Sequence, residues 1–191
     1  NLKAIALIGT GNVDVWDYDG LKKYVRNLNK RIKDDPSTGK IYPTEGTTNF
    51  VSKANKLGVF PSHYWHKGEA KYKDNINFEY MRKNTLVKQV RCFGCPIGCA
   101  HINKIKEGSY AGIEIEGPEF ETIYAFGGLC DVKNIVAIIK LNDVCDRIGI
   151  DTMTAGNVMG LLMDASERKR IPENYYIDFG DTERMIVFFN N

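Results

Sequence analysis

From Val132 to Arg168 the sequence carries two helical periodicities separated by Gly149-Ile150-Asp151, and this pair constrains the fold more than any other feature. In the first, Ile135, Ile138, Ile139, Val144 and Ile148 include several apolar neighbours three and four apart. That spacing gathers side chains on one helix face, and Gly149 supplies a stop. In the second, Asp151 or Thr152 is placed to cap a helix running to about Arg168. Its apolar side is Ala155, Val158, Met159, Leu162 and Met163.

The same signals recur along the chain. Asp19 can cap a helix to about Asp35, with Leu21, Tyr24, Val25, Leu28 and Ile32 on one face and Pro36 just beyond its end. A helix is expected from Thr48 to Leu57, ended by Gly58, with Phe50, Val51 and Ala54 as its buried side. Residues 59–76 read as irregular, and Asn77 can start a short helix to about Lys83. Pro118 stands where a helix starts well, with Glu119 and Glu121 in the first turn, and that helix should reach Gly127-Gly128. Asp181 can cap a last helix. Leu2 to Ile8 is too short for a stable helix and reads as a strand. The "GTGN" after it lacks the GxGxxG pattern and reads as a plain turn. Residues 101–117 read as a hairpin, because Ile113, Glu114, Ile115 and Glu116 alternate with a period of two. The expected fold class is mainly α: a helical domain with a short N-terminal strand and one small β-hairpin.

The chain has 191 residues and a formal net charge of +2, which argues against a strong pull on nucleic acid or anionic membrane. The basic residues between Lys22 and Lys33 are followed by Asp34 and Asp35, as on a solvated helix face. No apolar run approaches the roughly 20 residues of a membrane-spanning helix. The N-terminus lacks the cationic start and cleavage site of a secretory signal. Five cysteines is an odd count without disulfide-framework spacing, so a reducing, cytoplasmic setting is expected. There is no initiator methionine, and the chain ends inside a helical run, so it reads as an internal fragment of a longer protein.

Three of the five cysteines lie in "CFGCPIGCAH", residues 92–101. Thiolates are soft ligands that select zinc, copper(I) or iron–sulfur clusters. Cys92 and Cys95 are spaced Cys-x2-Cys, and Cys99 follows closely. Glycines between them allow turns that point backbone N–H groups at sulfur. Such density resembles iron–sulfur runs. Cys92, Cys95, Cys99 and His101 could also supply a structural Cys₃His zinc site in a non-enzymatic helical module, although one residue between Cys99 and His101 is tighter than zinc spacings usually are. The two-residue gap precedes the three-residue gap, which is not the order found in S-adenosylmethionine radical enzymes. Cys130 and Cys145 fall in or beside predicted helices and read as core thiols.

Several separated stretches together resemble the tungsten-dependent aldehyde:ferredoxin oxidoreductases. "NLKAIA" at 1–6 is similar to the segment closing that family's N-terminal β domain. "CFGCPIGC" resembles its cluster-binding run, "EGPEFE" at 116–121 its acidic motif, and "DRIGID" at 146–151 the first of its two pterin motifs. The resemblance implies that residues 1–12 are the tail of the preceding β domain or a linker, and that 13–191 are the helical middle domain. It implies a [4Fe–4S] cluster on Cys92, Cys95 and Cys99, with the fourth ligand beyond residue 191. It implies pterin contacts from Asp146, Ile150 and Asp151 to a tungsten or molybdenum bis-pterin, and a proton-exchanging Glu121 whose role calls for burial. The implied reaction oxidises a small aldehyde to a carboxylic acid with ferredoxin as acceptor. The implied partners are ferredoxin and the missing N- and C-terminal domains, with no nucleic acid and no membrane. The isolated fragment would be inactive and its cofactors absent or incomplete. Some members bind an iron between subunits through a glutamate; that position falls on Lys140, a cation that cannot ligate iron, so this metal is expected to be absent.

Overall fold

A computed structural model describes residues 4–190. Helix α1 spans Tyr18–Asp34. A π-helical turn, Ser37–Ile41, leads into the single turn α2, Tyr42–Glu45, and a 3₁₀ turn at Gly46–Thr48. Next come α3, Asn49–Lys56, and α4, Phe78–Asn84, on either side of an irregular segment. Three strands follow: β1, Leu86–Val90; β2, Ala100–Lys104; and β3, Glu114–Glu116. The turn α5, Phe120–Thr122, continues as a π-helix, Ile123–Leu129. Helices α6, Ile135–Ile148, α7, Thr152–Glu167, and α8, Thr182–Asn190, complete the chain. The fold is mainly α, as expected.

The core forms where the strongest periodicities lie. Ile135, Ile138, Ile139, Leu141 and Cys145 of α6 pack with Ala155, Met159 and Met163 of α7 and Met185 of α8. Phe126 and Leu129, from the π-helix, are fully buried beside them. Each such large side chain taken out of water stabilises the fold by about 1.5–3 kcal/mol. The close approach of α7 to the π-helix depends on Gly156, where an added Cβ would lie 2.6 Å from that of Ala125. Asp151 caps α7 by accepting from the Thr154 N–H at 2.7 Å. Asn134 caps α6 through the Val136 N–H at 2.9 Å, so that helix begins at Ile135 and not at Val132. Cys130 and Cys145 are buried core thiols.

The expected hairpin is present, with Ile102 opposite Glu116 and Lys104 opposite Glu114. Sequence reasoning missed β1, which pairs antiparallel with β2 and makes a sheet of order β1-β2-β3. The N-terminal strand is a correction. Leu2 lies outside the described residues, and 4–8 adopt no regular element, with Ile5, Leu7 and Ile8 exposed. A strand needs a partner for its backbone groups, and among the described residues, 4–8 are not part of the β1-β2-β3 sheet. Helix α1 is capped by Asp17 rather than Asp19, through the Gly20 N–H at 2.8 Å. Its apolar face is uncovered: no residue of α1 is buried. Phe50 and Val158, expected inside, are 41% and 45% exposed. Pro118 precedes the first helical residue of α5 by two positions, joined to Gly117 by a cis bond.

Candidate functional site

The cysteine run is the connection between β1 and β2. Val90 faces Ala100 across the ladder, so residues 91–99 form a closed loop. Gly94 and Gly98 hold φ of +70° and +68°, the left-handed region that glycine enters freely. The Gln89 side-chain amide donates to the Gly98 carbonyl and fastens the loop to β1. Cys95 Nα–H donates to the Cys92 carbonyl at 3.1 Å. The Ile97 and Gly98 N–H groups point at the Cys95 sulfur and hold its pKa below that of an ordinary thiol. This is the backbone cradle the glycines were expected to allow. Cys99 is shifted the other way, by burial first and then by the charge of Glu119.

His101 is committed elsewhere. It is buried, its Nε2 lies 3.0 Å from the Thr44 carbonyl, and its ring packs 5.7 Å from that of Phe78. A carbonyl only accepts, so Nε2 carries the proton. Among the described residues no group of three or more His, Cys, Asp or Glu side chains converges to hold a metal ion. The Cys₃His zinc set is therefore not assembled. The three thiols nonetheless suit a soft metal cluster in donor type, and one sulfur already has the N–H contacts that thiolates favour.

A cleft of about 420 Å³ lies between the β3–α5 connection and the α6–α7 corner. Asp146, Ile150 and Asp151, expected together from the sequence, all line it, with Glu116, Gly117, Glu119, Thr122, Asn142 and Thr152. Asn142, one turn before Asp146 on α6, donates to its Oδ2 at 2.8 Å. Burial raises the Asp146 pKa, the Asn142 hydrogen bond opposes that rise, and the charge of Asp143 adds to it. The Thr122 and Thr152 hydroxyls meet at 2.8 Å and tie α5 to α7. The charged residues of the lining are all acidic, so the cleft suits a ligand that presents N–H donors.

Glu121 is exposed and does not line the cleft. The role that the resemblance implies for Glu121 calls for burial, and within residues 4–190 its side chain is exposed. Glu119 is the carboxylate that turns inward. It lines the cleft and accepts from the Thr47 hydroxyl. Burial raises its pKa, Thr47 opposes the rise, and the charges of Glu121 and Glu116 add to it.

The family model for aldehyde ferredoxin oxidoreductase, domains 2 and 3, matches residues 23–191. The chain belongs to the aldehyde ferredoxin oxidoreductase family. It is 31% identical to the tungsten-containing aldehyde ferredoxin oxidoreductase of Pyrococcus furiosus over 188 residues, which is 96% of this chain and 30% of that protein. It is 32% identical to the Pyrococcus horikoshii protein of the same name over 173 residues, 91% of this chain and 28% of that one. A more distant relative, 25% identical over 88% of this chain and 27% of its own length, is the WOR-like subunit of an aliphatic sulfonate oxidoreductase from Pyrococcus furiosus. The chain thus spans about 30% of the length of the curated relatives it matches.

Within this aldehyde ferredoxin oxidoreductase-family chain, Lys140 pairs with Asp143 at 3.4 Å, and Arg147 meets the same carboxylate at 2.8 Å. Sequence reasoning missed Asn142 and Glu119 as cleft residues. Asn142 carries a signal, since it stands four before Asp146 on one helix face. Glu119 had none that separated it from Glu121.

Proposed function

We propose that this chain is the cluster-bearing helical part of a tungsten- or molybdenum-pterin, [4Fe–4S] oxidoreductase that oxidises aldehydes to carboxylic acids with ferredoxin as acceptor. In this reading residues 13–191 are the middle domain and 1–12 its link to a preceding β domain. The observation that carries it is that Asp146, Ile150 and Asp151 share one cleft whose charged lining residues are all acidic.

Cys92, Cys95 and Cys99 would hold three corners of the cluster, and the fourth ligand would come from outside residues 1–191. When bound, the pterin-held metal supplies the two-electron chemistry and the cluster carries electrons onward. Asp146 and Asp151 would accept N–H groups of the pterin ring, with Ile150 lining the wall between them. Glu121 would exchange a proton with water or the substrate carbonyl once other parts of the protein bury it. Five free cysteines fit a reducing, cytoplasmic setting. No helix among the described residues is long and apolar enough to cross a membrane.

The test is full-length protein purified without oxygen. Iron and acid-labile sulfide should be present at about four each per chain, as a [4Fe–4S] cluster requires, together with tungsten or molybdenum. Aldehyde should drive ferredoxin reduction. Zinc without iron or sulfide in that protein would overturn the reading. Metal content as expected, but electrons from an aliphatic sulfonate and none from any aldehyde, would move the substrate class toward that of the more distant relative.

A further inference from the structure

Gly46 and Thr47 stand between the cysteine loop and the cleft. Gly46 holds φ of +61°, and a Cβ built on it would collide with the Cys99 carbonyl oxygen and lie 2.9 Å from Cε1 of His101. The two backbones come this close because nothing projects from Gly46. One residue on, the Thr47 hydroxyl accepts from the Phe120 N–H at 2.9 Å and donates to Glu119 Oε2. The amide occupies a lone pair of the hydroxyl, which leaves its proton for the carboxylate. The Phe50 and Phe120 rings, 5.9 Å apart, pack the two segments together. Glu119 therefore lines the cleft while Thr47 holds its carboxylate one residue from the point where Gly46 abuts the Cys99 backbone.

Resting on the function proposed above, we propose that Glu119, oriented by Thr47, is a positioning residue that sets the reduction potential of the cluster on Cys92, Cys95 and Cys99. A carboxylate beside the cluster opposes the arrival of an electron, because net charge and nearby hydrogen bonding set such potentials. The potential is thus held more negative than the cysteine loop alone would give.

The experiment is a reductive titration of the full-length, anaerobically purified protein, with the cluster followed by electron paramagnetic resonance. Wild type is compared with E119Q, E119S, E119D and E116Q. Serine is favoured at a helix N-cap, where Glu119 stands, so E119S removes the charge in a fold-compatible way should E119Q fail to load its cluster. Both Glu119 variants should be easier to reduce by about tenfold in equilibrium constant, or about 59 mV for one electron. E116Q removes an equal charge from the same cleft and should move the midpoint far less. E119D keeps the charge and should stay near wild type. Unchanged midpoints in both neutral variants, or an equal shift in E116Q, would overturn the inference alone. A wild-type protein with no reducible [4Fe–4S] signal would overturn the proposed function, and this inference with it.

Discussion

Cys95 and Cys99 share one loop and differ as thiols. Two backbone N–H groups stabilise the Cys95 thiolate and lower its pKa, whereas burial and the Glu119 charge raise that of Cys99. The thiolate is the reactive form. In metal-free, reduced protein the Cys95 alkylation rate should therefore rise at lower pH than that of Cys99. Mass-spectrometric pH profiles with iodoacetamide check this, and coincident or reversed midpoints would refute it. Cys130, fully buried with its thiol pKa raised by burial, should react only on unfolding. The cysteine pattern made this loop visible in the sequence because three thiols so close have few other uses. Glu119 was not visible. It and Glu121 flank one helix start, and only the extended backbone at Glu119, with φ −81° and ψ 170°, turns one carboxylate inward. No local pattern encodes that turn, since Thr47 and Phe50, far off in the chain, complete it.

Among the elements, α7 shows how one residue can serve packing and site together. Asp151 caps the helix and lines the cleft. D151A should lower stability by about 1 kcal/mol, the usual cost of losing a cap, while D151N should stay within a few tenths because asparagine caps equally well. Denaturant unfolding of the two variants checks this, and equal losses in both would mean the carboxylate charge rather than the cap matters. Helices α6 and α7 were legible because burial imposes the 3.6-residue period on Ile135, Ile138 and Ile139. Strand β1 was not. Val87, Lys88 and Gln89 are all exposed, so no alternation marks it. It exists through its ladder to β2, and hydrogen bonds between backbones leave no trace in residue type.

At the scale of the molecule, the apolar material is unevenly covered. The α6–α7–α8 side is densely packed, whereas Leu21, Tyr24, Val25 and Leu28 of α1 are 36–65% exposed. A helix held mainly by its own hydrogen bonds is marginal in water. Amides of α1 should exchange with deuterium much faster than those of α6 in this chain, measured by hydrogen-exchange mass spectrometry. Equal protection would show that α1 has a partner, such as a second copy. The period of α1 was readable, yet what covers that face is not written in the helix itself. The pairing of Val90 with Ala100 bears on assembly in another way. While those strands stay zipped, the thiols between them are tethered to a common anchor. An ion caught by one sulfur then meets its neighbours at the millimolar local concentration that short tethers produce. Metal capture at this loop becomes an intramolecular event, governed by the hairpin and separable in time from the closing of the helical core.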